Sequence, residues 1–397
     1  MNEKHWDVLN KLEIATIVVV GGRPGSDFLH TLFDSHPEIL TFEGTLFFSD
    51  FYNNAVSLWR GWGPTDDFTT QKKINVGDYF YEFAWKNLHK FKTRYDIREN
   101  KDKLGSKRDQ SNEVDIDLFV KKAIELMELK ELNRKNFFLA TYGAFALARG
   151  EDLNKKKVLL HSVKHDFRVR VISEEFPLVK VIATTRDPRA GYIVSMEDWK
   201  KYAPDRLSPR SHFFYINRIL KATACMNEFS NVDIRVNILE RLHQHPDEVM
   251  RNMCKWLGIE YDPILLKSTC GGKDWWGDAL TTGINSPFNE ERYSESQKLW
   301  KKHMSLFDNI IFSSLMRKEI SHYSWIKKYS GWGWLLITPF LILLPNKWDL
   351  IILVKAIKKK QIRIIIEWFY FLLKRYNIMF SKYFSVVFKR DSPVDYF

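Results

Sequence analysis

The chain has 397 residues, 45% of them hydrophobic, enough for a sizeable core in one large domain or two modest ones. Its net charge of +12 is uneven. Residues 321–397 carry thirteen Lys and Arg against four acidic residues, about +9 of the total, interleaved with long apolar runs, a pattern that argues against nucleic acid as the partner. Cys225, Cys254 and Cys270 have no CxxC or Cys/His ligand spacing, which argues against a disulfide framework and reads as buried thiols in a reducing compartment. The charged start, residues 1–13, lacks the apolar stretch of a secretory signal.

Taken in chain order, residues 1–50 read as strand, loop, helix and strand. Ile17, Val18, Val19 and Val20 form the strand, a Gly-rich turn follows, and Phe28, Leu29, Leu32 and Phe33 recur with helical spacing. Strand, glycine turn and helix together aim backbone N–H groups at a phosphate. The turn is not a Walker A loop, because no Lys-Ser or Lys-Thr follows Gly25, and Arg23 is the available cation. Residues 51–91 are aromatic-rich and helical in part, and 92–115 are polar and read as a mobile loop. Helices are expected over 117–132 and 136–149, then a strand over Val158–Val163 and another over Leu178–Thr184. Arg186 stands at the carboxyl end of that last strand, where open α/β sheets bind ligands, and Ser195 lies about two turns into the next helix. Residues 245–258 form an amphipathic helix with Pro246 at its start, Asp247 and Glu248 in its first turn and Gly258 at its stop. The alternation predicts an α/β fold with a central, mostly parallel sheet flanked by helices.

Four motifs in order give a sharper reading. Arg23-Pro24-Gly25-Ser26-Asp27-Phe28-Leu29, with His36-Pro37 after its helix, resembles the first loop of sulfotransferases that use 3′-phosphoadenylyl sulfate (PAPS). Arg186-Asp187-Pro188-Arg189 with Ser195 is similar to that family's second motif. Leu239-Glu240-Arg241-Leu242-His243-Gln244-His245-Pro246, leading to Trp256-Leu257-Gly258, resembles its third, and Gly272 to Asp278 its late loop over the nucleotide. The resemblance covers residues 14–320 and implies a P-loop-NTPase-like fold, PAPS as donor, a hydroxyl or amine acceptor and no metal. It implies that Arg23, Pro24, Gly25, Ser26, Asp27 and Phe28 cradle the 5′-phosphosulfate, with Arg186 and Ser195 on the 3′-phosphate and Trp276 and Gly277 in the nucleotide lid. Glu43 is a candidate base; His161 and His165, flanking Lys164, are others, and Asp166 a weaker one. Arg23 and Lys164 would serve the reacting end. Three positions depart from the pattern: Pro24 removes an N–H, Asp27 puts a carboxylate beside an anion, and Arg186 to Ser195 is nine positions instead of eight.

Residues 329–346 hold no charge but contain Pro339 and Pro345, and charge-interrupted apolar runs follow them. Lysines 355, 358, 359 and 360 and tryptophans 332, 334, 348 and 368 suit amphipathic segments in a membrane interface; helices packed on the catalytic body are one alternative, and a true span, which the prolines and Asp349 interrupt, is another. The expected organisation is therefore a catalytic domain over 1–320 and a membrane-associating tail over 321–397. The expected activity is sulfuryl transfer from PAPS to a saccharide or lipid-linked acceptor, on the cytoplasmic face of a membrane. A kinase-like transferase and a catalytically inactive membrane scaffold are the competing readings; the missing P-loop lysine and the Arg186–Ser195 pair weigh against the kinase.

Overall fold

Short runs of Val, Ile and Leu, buried on both faces, supply the central strands, as a parallel sheet covered by helices requires. The computed structural model describes residues 2–42, 75–94, 104–128, 130–164, 167–202, 204–227, 232–277, 300–317, 331–388 and 395–397. Helix α1 (Asn2–Lys11) leads into β1 (Glu13–Val19), α2 (Ser26–Leu32) and β2 (Ile39–Thr41). Helices α3 (Val76–Thr93), α4 (Ile116–Met127) and α5 (Arg134–Ala148) come before β3 (Val158–Lys164). Then come α6 (Phe167–Glu175), β4 (Lys180–Thr185), α7 (Pro188–Tyr202), α8 (Pro209–Asn227), β5 (Asp233–Ile238), α9 (Leu239–Gln244) and α10 (Pro246–Leu257). A small antiparallel pair, β6 (Thr269–Cys270) and β7 (Lys273–Asp274), is followed by α11 (Leu306–Leu315). The chain continues through α12 (Trp332–Ile342), α13 (Lys347–Lys358) and α14 (Ile362–Phe388) to β8 (Asp395–Tyr396).

Among the described residues, six parallel strands lie in the order β2-β3-β1-β4-β5-β8. From β1 the chain moves toward β2; from β4 it moves the other way, to β5. The carboxyl ends of β1 and β4, aligned through Val19 and Thr184, therefore frame a topological switch point. One face of the sheet packs Val18, Leu159 and Val181 against Phe80, Phe137 and Phe138. The other packs Ile17, Leu160 and Ile182 against Leu29, Leu32, Met250 and Met253.

The start and stop chemistry of α10 holds as read: Pro246 opens it, Asp247 and Glu248 sit in its first turn, and Gly258 closes it at φ 71°. Strand β4 starts two residues later than expected, because Leu178 is 91% exposed on the turn before it. The polar stretch 92–115 departs further from the expected mobile loop where it is described. Leu104 is buried and pairs with both Gln110 and Trp275, so this segment is pinned by backbone bonds that a polar composition does not reveal. Buried Cys254 and Cys270 carry free thiols that burial pushes up to about 12.

Helices α12 to α14 share a third core with α7, α8 and α11, in which Trp348 and Trp368 lie among Tyr192, Ile216 and Phe312. Among the described residues no helix is long and apolar enough to cross a membrane.

Candidate functional site

The turn after β1 is shaped by left-handed backbone: Arg23 has φ 46° and Gly25 φ 75°. Its positive φ favours glycine at 25, and a Cβ there would also press on Leu239 Cδ1 at 2.6 Å. Gly22 is constrained from the other side, because a Cβ there would sit 1.8 Å from the Tyr215 hydroxyl. The turn thus lies between α9 and α8 and presents the start of α2 at the switch point.

The second loop meets it there. Asp187 caps α7, accepting the backbone N–H of Arg189 at 2.9 Å, and takes the Arg189 guanidinium at 3.0 and 2.7 Å in a fully buried bidentate pair. Arg189 also donates to Ser313 of α11 and stacks on Trp300, so it anchors the loop. Arg186 instead turns toward the first loop and donates to the Arg23 carbonyl at 3.3 Å.

Tyr215 is the centre of the constellation. Its hydroxyl donates to the Gly191 carbonyl at 3.0 Å and touches Ser195, which then donates to the Tyr215 oxygen. Burial pushes the phenol above its ordinary value, while the Ser195 hydroxyl and the charges of Arg218, Arg23 and Arg186 pull it back. Three arginines therefore act on one buried hydroxyl pair. Tyr215 and Arg218 lie three residues apart on α8, where nothing in the local sequence marks them.

The third motif joins the first two. Leu239 packs on Gly25, and His243 stacks on Phe28 with ring centroids 5.1 Å apart and planes within 4°. Glu240 accepts the backbone N–H of Asp187 at 2.9 Å. Burial pushes its carboxyl up to about 7, against the opposing pull of Arg186 and that N–H. Glu240 Oε2 and the whole side-chain amide of Asn237, at the end of β5, are buried without hydrogen-bond partners among the described residues. Orphaned polar atoms of this kind, beside arginines, suit a polar ligand, and a carboxyl near neutrality can donate to an anion that a carboxylate would repel.

Asp27 is paired. Its carboxylate and carbonyl lie 3.3 Å from Arg94 Nη2, and Arg94 is 1% exposed. Arg94 also donates to His30 Nδ1 at 2.9 Å, which places the imidazole proton on Nε2, facing Thr41 at 2.7 Å. The departure at Asp27 is thus compensated by a cation 67 residues away in sequence. Arg94 stacks on Trp275 of the late loop, and Trp276 donates to the Gly105 carbonyl at 2.7 Å under Arg108. Gly277 is buried at the end of this loop, with φ 95°.

The structure brings Arg23, Pro24, Gly25, Ser26, Asp27 and Phe28 to one turn beside Arg186 and Ser195. Ser195 is 1% exposed and already engaged by Tyr215. Trp276 is held on the 104–110 turn. Lys164 ends β3 opposite Val18, next to the first turn. His161 is buried in β3 with Tyr142 at 2.6 Å on its Nδ1, the setting of a core histidine. Glu43, His165 and Asp166 lie outside the described residues.

No protein-family model and no curated protein matches the chain. Among solved structures it resembles the sulfotransferase domain of the Synechococcus PCC 7002 olefin synthase. That match has 14% identity and a TM-score of 0.36, and covers 77% of this chain and 95% of that one. It also resembles sulfotransferase STF9 from Mycobacterium avium, with 12% identity, a TM-score of 0.32 and coverage of 66% and 68%.

Proposed function

We propose that this protein transfers a sulfuryl group from PAPS to a hydroxyl or amine acceptor. The observation that carries the reading is the convergence of three sequence-distant motifs on one arginine-lined switch point: Arg23 to Phe28, Arg186 to Ser195, and Leu239 to His243. When bound, PAPS supplies the sulfuryl group and a phosphate leaving group. Arg23 and the backbone N–H groups of Gly25, Ser26 and Asp27 are assigned to the 5′-phosphosulfate, where charge grows on the leaving oxygen. Pro24 contributes no N–H, so Arg23 bears more of that charge.

Arg186 is assigned to the 3′-phosphate, with Ser195 turning its hydroxyl proton from Tyr215 to the phosphate on binding, and Glu240 steadies the loop that presents Arg186. Phe28, Trp276 and Gly277 are assigned to the nucleoside. The acceptor proton goes to Glu43 in this reading, with His165 as the second candidate and Lys164 as a cation beside the reacting group. The acceptor is a saccharide or lipid-linked hydroxyl, met at the cytoplasmic face of a membrane.

A thermal-shift panel tests the donor. Adenosine 3′,5′-bisphosphate at a hundredfold excess over its Kd stabilises by about 2.7 kcal/mol, and ATP leaves the melting temperature unchanged. Stabilisation by ATP alone would replace the reading with a kinase-like one. Retained transfer activity after both Glu43→Ala and His165→Ala would remove them as bases.

A further inference from the structure

Helix α14 buries Trp368, Leu372, Arg375, Met379 and Val386 against the rest of the protein. Its opposite stripe, Ile362, Ile366, Phe369, Leu373, Phe384 and Phe388, is equally apolar, yet each of these residues is between 53% and 78% exposed. Helix α12 repeats the pattern with Trp332, Leu336, Phe340 and Leu343, and α13 with Leu350, Val354 and Ile357. Single exposed apolar residues are ordinary, but i, i+4, i+7 stripes on three successive helices mark a contact surface.

Charge identifies what covers it. Lys358, Lys359, Lys360 and Arg363 are exposed together at the turn from α13 to α14. The carboxylates of these helices are engaged: Asp349 is buried against Arg375 and His212, and Glu367 pairs with Arg363. A second copy seated on the same face by two-fold symmetry would bring positive charge toward positive charge. An anionic lipid surface complements both the apolar stripes and the basic turn. The exposed apolar residues of α14 stand near both ends of a 27-residue helix, from Ile362 to Leu373 and again at Phe384 and Phe388, so the helix lies along such a surface and does not cross it.

We infer that the outward faces of α12, α13 and α14 dock this protein on the interface of an anionic lipid bilayer. The inference stands on these exposed faces and not on the donor assignment. It also changes which experiment is informative: deleting the helices would strip Trp348 and Trp368 from a shared core, so the outward residues must be changed singly or in small sets.

Co-sedimentation of the full chain with vesicles of phosphatidylcholine alone, or with added phosphatidylserine, is the test. The parent chain binds the phosphatidylserine vesicles more tightly. The triple variant Leu336→Ser, Ile366→Ser, Leu373→Ser, changed only at exposed positions, keeps its unfolding transition and binds about tenfold or more weakly. Lys358→Gln, Lys359→Gln, Lys360→Gln lowers binding to the anionic vesicles by about fivefold per lysine and leaves binding to phosphatidylcholine unchanged. Absence of parent binding, or equal binding by the folded serine variant, overturns the proposal. So does a dimer in lipid-free solution that the serine changes disperse while the vesicles capture nothing. Vesicle binding without stabilisation by the bisphosphate would sink the donor reading alone.

Discussion

Around Tyr215, the charges of Arg218, Arg23 and Arg186 act on a buried phenol and Glu240 is pushed toward neutrality, whereas between α8, α13 and α14 Asp349 is held by both Arg375 and His212. In the second cluster Asp349 lies 2.8 Å from Arg375 and 3.1 Å from His212. His212 continues to Tyr192 at 2.9 Å, and Asn346 donates to Tyr192 at 3.2 Å while capping α13 through a reciprocal pair with Asp349. Burial pushes the Asp349 carboxyl up, but His212 and Arg375 more than offset it, leaving it below the ordinary carboxylate range. A cluster closed on itself holds helices together. The first cluster instead leaves the Asn237 amide and Glu240 Oε2 buried without hydrogen-bond partners among the described residues, the atoms that the proposed anionic donor would meet.

The contrast can be broken by single substitutions. Asp349→Ala leaves Arg375 buried and unpaired and costs about 3–5 kcal/mol in urea unfolding, while the stabilisation added by adenosine 3′,5′-bisphosphate to the folded fraction persists. Arg186→Ala does the reverse: transfer falls by about 10²–10³-fold and the bisphosphate shift disappears, with a much smaller change in the urea midpoint. Were Arg186→Ala to lower stability as much as Asp349→Ala, both clusters would be structural.

The two carboxyls should also give opposite pH slopes. Glu240 is raised from 4.5 to about 7 on folding, so its contribution is complete below its unfolded value and is lost as pH rises through that window. Asp349 is lowered, so its contribution is present above its unfolded value and is lost as pH falls through the folded one. Urea midpoints against pH should therefore show Glu240→Gln removing the loss on the neutral side, and Asp349→Asn removing the loss on the acid side. The smallest effect belongs to Tyr215→Phe, which removes the bonds to Gly191 and Ser195. It costs about 1 kcal/mol of stability and weakens the bisphosphate by a comparable factor in a titration.

Much of the site was legible because its chemistry is local. Gly25 followed by Ser26 and Asp27 announces a turn into a helix, and Arg186 after an apolar run announces the end of a strand. Glu240 stood in a recognisable motif, but its role did not, since only the fold places it under the Asp187 N–H. Tyr215 and Arg218 carry no local signal at all. Tyr215 is an ordinary position on an amphipathic helix until Gly22 is packed against it. Asp27 looked adverse for the same reason: its compensating cation, Arg94, arrives from another helix.

The C-terminal helices divide along the same line. Composition alone established that residues 321–397 are apolar and strongly basic, because charge and hydropathy are sums over residues. Which apolar residues face inward was decided only by tertiary packing, because a helix that is apolar on most sides can bury either face. By itself the sequence determined the first strands of the sheet, the glycine turn, the ends of the helix after Pro246 and the order of the arginine motifs, all set by neighbours within a few residues, but not helix α1 or strand β5. Tertiary structure alone decided which side chains meet. It put Tyr215 against Ser195 and Gly22, Arg94 beside Asp27, and Trp348 inside with Leu350 outside, since those outcomes depend on contacts between segments apart along the chain.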